Sequence, residues 1–145
     1  MRALGIGIVL LALAGTGVAQ DAKKEMAQLE GEWTMVSGEI DGQTLPEEMR
    51  KTAKRVVKDG QTTVTIGGRL FMKAKFAIDP AKKPKTIDYT MTEGPTKGKT
   101  QLGIYELEGD TVKFCFAAPD KERPTEFTAG EGSRRTLSVW KRDKK

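Results

Sequence analysis

From Glu32 to Arg142 the chain alternates repeatedly between apolar and polar residues with a period of two, and turn signals separate the alternating stretches. The clearest stretch is Leu70, Met72, Ala74, Phe76 and Ile78, opposed by Arg69, Lys73 and Lys75. Successive side chains of a strand point to opposite faces, so this spacing gives a strand with one apolar face. Glu32–Ile40, Arg55–Lys58, the segment holding Val64 and Ile66, Ile87–Met91, Gln101–Leu107, Thr111–Ala117 and Thr136–Arg142 also read as strands. Asp41-Gly42, Asp59-Gly60, Gly67-Gly68, Gly94–Lys99 and Gly109-Asp110 supply short links, while Asp79-Pro80 and Pro84 interrupt strand pairing. About eight short strands with such links predict an all-β fold. An up-and-down antiparallel meander of that number can close into a barrel, which removes unpaired strand edges.

One or two short helices are expected beside the strands. Asp21–Leu29 carries Met26 and Leu29 on one side, with Asp21 as the cap. Thr44-Leu45-Pro46-Glu47 has capping-box spacing, and Leu45, Met49 and Ala53 recur at helical intervals.

The first residues read as a targeting segment. Met1-Arg2 precedes the apolar run Leu4–Ala14, and small residues stand at Gly17 and Ala19. This pattern predicts a signal peptide over residues 1–19 and an exported domain over residues 20–145, periplasmic or extracellular. No second apolar run reaches spanning length, so no stable membrane span is expected in the mature chain. Cleavage would remove Arg2 from a formal charge of +5, leaving +4. The lysines are scattered and not interleaved with aromatics, which argues against a nucleic-acid partner. Cys115 is the single cysteine, so no internal disulfide can form. With no histidine, the commonest metal ligand and general base is missing. Neither a metal nor a cofactor is expected, and no nucleophile–base pair can be named, so the expected function is non-catalytic.

Gly31-Glu32-Trp33 opens the first strand, and Trp140-Lys141-Arg142 closes the last. In this the chain resembles lipocalins and fatty-acid-binding proteins, the calycin group. The resemblance implies that Trp33 plugs one end of a barrel and stacks on Arg142 as a structural closure. A wider pattern includes Asp41-Gly42, Pro46-Glu47-Glu48, Asp79-Pro80, Lys82-Lys83-Pro84-Lys85, Asp88-Tyr89-Thr90, Gly94–Lys99, Gly103–Leu107, Cys115-Phe116 and Arg123–Phe127. Across the mature chain it is similar to a lipocalin-like domain family of unknown function, abundant in exported planctomycete proteins. The likeness implies a lipocalin-like barrel and brings no activity or cofactor with it.

At eight strands a barrel interior holds side chains or one small ligand. Met72, Phe76, Tyr89, Tyr105, Phe114 and Phe116, together with Met91, either line such a pocket or fill it. Arg123 and Phe127 lie in the longest connection, Pro119–Ser133. There Arg123 either meets an anionic head group at the mouth with Phe127 over it, or the pair pins the loop to the barrel rim. Gly94–Lys99 lacks phosphate-loop spacing, and the strand after it offers no helix N-terminus. Cys115 between Phe114 and Phe116 reads as a packing residue. The expectation is therefore an exported binder of a small apolar or anionic amphiphilic molecule. The alternative is a cell-envelope protein-interaction or inhibitor module with a filled core.

Overall fold

The alternating stretches pair antiparallel into one sheet whose first and last long strands meet. The computed structural model describes residues 21–144, so the signal peptide expected over residues 1–19 lies outside the described residues. In chain order the elements are helix α1 (21–29), β1 (Gly31–Ile40), β2 (Gln43–Thr44), helix α2 (Glu47–Thr52), β3 (Ala53–Lys58), β4 (Gln61–Ile66), β5 (Arg69–Asp79), β6 (Lys85–Glu93), β7 (Thr100–Glu108), β8 (Thr111–Ala117) and β9 (Arg135–Arg142). Strand β9 returns to β1 along a register from Trp33↔Arg142 to Ile40↔Thr136. Eight strands, β1 and β3 to β9, thus close an up-and-down, lipocalin-like barrel, and β2 is an extra strand on β1. No helix among the described residues is long and apolar enough to cross a membrane.

Helix α1 covers one end. Trp33, fully buried, donates from Nε1 to the Leu29 carbonyl at 3.0 Å. The Arg142 guanidinium carbon lies 4.3 Å from the centre of the Trp33 ring. Arg142 also donates to the carbonyls of Gln28 and Glu30, where the helix ends. A cation at that position satisfies orphan carbonyls and opposes the negative end of the helix dipole. One turn before Leu29 in α1, Glu25 accepts hydrogen bonds from Lys85 Nζ at 2.7 Å and from the Tyr105 hydroxyl at 2.9 Å. The half of the barrel next to α1 is solid, with Leu29, Val57, Ile87 and Phe114 all buried.

The outer wall is not uniformly polar. The 118–134 connection lies against β6, β7 and β8, and Ile104, Cys115, Pro124 and Ala129 are buried beneath or within it. Cys115 Sγ donates to the Thr128 carbonyl at 3.4 Å, and burial pushes its thiol pKa up. This cover explains the apolar residues on both parities of β7: Tyr105 faces the interior, and Ile104 lies under the loop.

Four local expectations are corrected. Thr44 pairs with Glu39 in β2 and caps no helix. Helix α2 begins after Pro46 without a side-chain cap and stops at Thr52, because Ala53 is already a buried barrel position paired with Ile66. Asp21 is itself helical, so it does not cap α1. On β5, Val64 pairs with Met72 but Thr65 pairs with Leu70, which leaves Phe71 as a bulged extra residue. The bulge reverses the alternation there, and Leu70 is 54 % exposed.

Candidate functional site

Towards the end opposite α1 the interior is hollow. The cavity holds about 440 Å³, at the low end of the volumes typical of small-molecule sites. Its walls are mainly Met35, Val64, Ile66, Met72, Met91 and Phe116, all inward positions of barrel strands. Leu45, just before α2, and Met49, within it, close one side, and Pro95 and Thr96 of the 94–99 loop contribute on another. Ile40 and Phe71 both line the cavity and remain 42 % and 44 % exposed, which marks the mouth. The β5 bulge is what brings Phe71 to this rim.

The floor is a charged residue. In β3 the residues Ala53, Arg55 and Val57 are buried, while Lys54, Val56 and Lys58 are exposed. The strand period therefore carries Arg55 inward, where it is 5 % exposed. Its Nη1 donates to Thr62 Oγ1 at 2.8 Å and to the Tyr89 hydroxyl at 2.6 Å. Its guanidinium carbon lies 4.7 Å from the centre of the Phe114 ring and 4.4 Å from that of Trp140. Among the described residues Arg55 has no carboxylate partner within ion-pair distance, and Nε has no hydrogen-bond partner. A desolvated cation costs several kcal/mol to bury. The two ring faces offset part of that cost, at about 2 kcal/mol each when desolvated, and so do the two hydrogen bonds.

Aromatic packing fixes the remaining floor groups. Tyr89 and Phe116 have ring centres 4.0 Å apart, and Trp140 Nε1 donates to Ser138 Oγ at 2.9 Å. Phe116 can lie across β7 because its register partner is Gly103, where a Cβ would come within 2.5 Å of the Phe116 ring. Below Arg55, among Leu29, Val57, Phe76, Ile87 and Phe114, only about 10 Å³ is open.

The side chains singled out in the sequence therefore separate into three groups. Met72, Tyr89 and Phe116 line the cavity. Phe76 and Phe114 lie beneath Arg55 and fill the core instead, and Tyr105 is held at the closed end by Glu25. Arg123 and Phe127 do not reach the mouth. Arg123 Nη1 lies 2.7 Å from Asp88 Oδ1 and donates to the Gly103 carbonyl at 2.8 Å, so it straps the long connection to the outer wall. Phe127 packs under Lys113, whose Nζ is 5.0 Å from its ring centre, and borders a shallow outer depression shared with Tyr105. Sequence reasoning missed Arg55 and Trp140. The available signal was parity: lysines at both Lys54 and Lys58 mark the outward face and leave Arg55 with Ala53 and Val57.

The cavity lining carries no nucleophile beside a base and no acidic side chain among the described residues. No group of three or more metal-ligating side chains is gathered among those residues either. What the arrangement can do is enclose an apolar body against a positively charged, hydrogen-bond-donating floor. Compared with protein-family models, curated protein sequences and solved structures, the chain matches none.

Proposed function

We propose that this protein is a non-catalytic binder that holds one small, partly apolar molecule in the half of the barrel opposite α1. Supporting this most directly is the cavity of about 440 Å³, bounded by methionine, aliphatic and aromatic side chains and open at Ile40 and Phe71. Flexible methionines such as Met35, Met49, Met72 and Met91 suit a site that adapts to an irregular apolar surface. The apolar run and small residues before Gln20 support export, with a lipocalin-like domain carrying the ligand outside the cytoplasm.

The test is direct. The purified protein is incubated with a total lipid extract, passed through gel filtration and examined by native mass spectrometry. One retained molecule per chain is the expected result. A chain that emerges with nothing bound, after exposure to acidic and neutral lipids alike, overturns the proposal.

A further inference from the structure

We propose that the outer wall of β3, β4 and β5 is a docking surface for an acidic polysaccharide, a polymer of sugars that carry carboxylates. This surface lies on the outside of the barrel, so the proposal goes beyond the ligand-binding reading and does not depend on it.

The charge of the chain is unevenly placed. Residues 53–79 hold six basic and two acidic side chains, a net +4 out of +5 for the whole chain. Elsewhere acids and bases almost cancel. The strand period decides where this excess points. Arg55 is buried, whereas Lys54, Val56 and Lys58 of β3 are exposed, and Lys73 and Lys75 share the outward face of β5. Between them β4 turns Gln61, Thr63 and Thr65 outward. Lys58 pairs with Gln61, and Gln61 with Lys75; Val56 pairs with Thr63, and Thr63 with Lys73; Lys54 pairs with Thr65. Neighbouring strands lie about 4.8 Å apart, so two columns of lysine flank one column of short polar side chains, about 10 Å across. Lysines that are far apart in the sequence are gathered by this register.

The strip holds no carboxylate. Asp59 lies in the turn after β3 and Asp79 at the far end of β5. On the adjoining strands Glu32 and Glu93 stand at its two edges, paired with Val56 and Lys73. Lys54 is engaged by Asp143 at 3.4 Å, but Lys58, Lys73 and Lys75 have no carboxylate within ion-pair distance among the described residues. Like charges held on one wall repel each other, and a bound polyanion relieves that repulsion.

The rest of the strip selects among polyanions. All three strands are paired on both sides, so an acidic peptide finds no edge on which to add as a strand. The exposed apolar residues Val56 and Leu70 belong to different columns with β4 between them. They form no continuous patch to enter a bilayer or to make the dry centre of a protein interface. No aromatic side chain stands in the three columns to take a nucleic-acid base. What remains is ammonium groups for carboxylates and, between them, hydroxyls and an amide that both donate and accept, as sugar hydroxyls do.

The experiment measures binding of the purified protein to immobilised polygalacturonate, and to uncharged dextran, near neutral pH and low salt. Polygalacturonate should retain the protein and dextran should not. Lys58→Gln, Lys73→Gln and Lys75→Gln together should weaken retention about ten-fold, the loss of three exposed ion pairs. Lys82→Gln, Lys83→Gln and Lys121→Gln together remove the same charge from other exposed positions and should leave it within about two-fold. Circular dichroism checks that both variants keep the sheet. No retention on polygalacturonate overturns the proposal. An equal loss in the two triple variants shows attraction by net charge alone and also overturns it. Tighter binding to phosphatidylglycerol vesicles or to duplex DNA, compared at equal concentration of negative charge, assigns the wall to another partner and overturns the polysaccharide.

Discussion

Arg142 lies with its guanidinium carbon 4.3 Å from the centre of the Trp33 ring, while its Nη1 donates to the Glu30 carbonyl at 2.7 Å. One side chain from the last strand therefore joins the first strand and the end of α1. Arg142→Met should lower the unfolding free energy by about 2 kcal/mol, since it removes charged hydrogen bonds and a cation–π contact at a partly buried site. Trp33→Ala should cost about 3–5 kcal/mol, the usual range for deleting a large buried aromatic. Urea titration followed by Trp140 fluorescence for the Trp33 variant, and by circular dichroism for both, checks these values. An Arg142→Met protein as stable as the parent would show that closure depends on backbone pairing alone.

Tyr105 makes stability depend on alkaline pH. Burial, and then the hydrogen bond to Glu25, raise its phenol well above the ordinary 10.0. The folded state therefore keeps the proton where the unfolded chain releases it. The unfolded state binds fewer protons above pH 10, so stability is intact below that value and falls as pH rises through it. For one such group the slope approaches about 1.4 kcal/mol per pH unit. Chemical denaturation between pH 9 and 11.5 should show Tyr105→Phe losing less stability than the parent. Parallel curves would mean that the phenol ionises as readily in the folded barrel as in the unfolded chain.

Gly103→Ala tests how tightly the cavity wall is packed. The added methyl would lie 2.5 Å from the Phe116 ring and 2.9 Å from the Cys115 carbonyl. Phe116 has little room to retreat, because the Tyr89 ring is tilted against it with ring centres 4.0 Å apart. The substitution should destabilise the fold by about 1–3 kcal/mol, as overpacking does. Thermal unfolding measures this, and an unchanged midpoint would show that Phe116 has a second rotamer open to it.

The barrel was legible because its strands alternate cleanly over long stretches: Thr111–Ala117 begins and ends where the sequence pattern places it. Other features depend on contacts that periodicity does not record. The bulge at Phe71 moves one residue from the expected face to the mouth and leaves Leu70 in solvent. Thr44-Leu45-Pro46-Glu47 satisfies a helix-start pattern, yet Thr44 is taken by a backbone pairing with Glu39. Half of the candidate site was legible through Met72, Tyr89 and Phe116. Its floor was not, because arginine is a surface residue by default and only the parity of a six-residue strand turns Arg55 inward. Arg123 stood out for lying in a long loop, but Asp88 and the Gly103 carbonyl hold it to the outer wall.

The chamber itself can be tested through its methionines. Met35, Met49, Met72 and Met91 line it, whereas Met26 sits on α1 at the opposite, solid end and does not. Methyl-labelled methionine spectra, recorded while decanoate or decanamide is added, report on both ends of the barrel at once. Large shifts at Met35, Met49, Met72 and Met91, with Met26 unmoved, are the predicted result. No shift at the four, or shifts centred on Met26, would contradict a ligand chamber above Arg55.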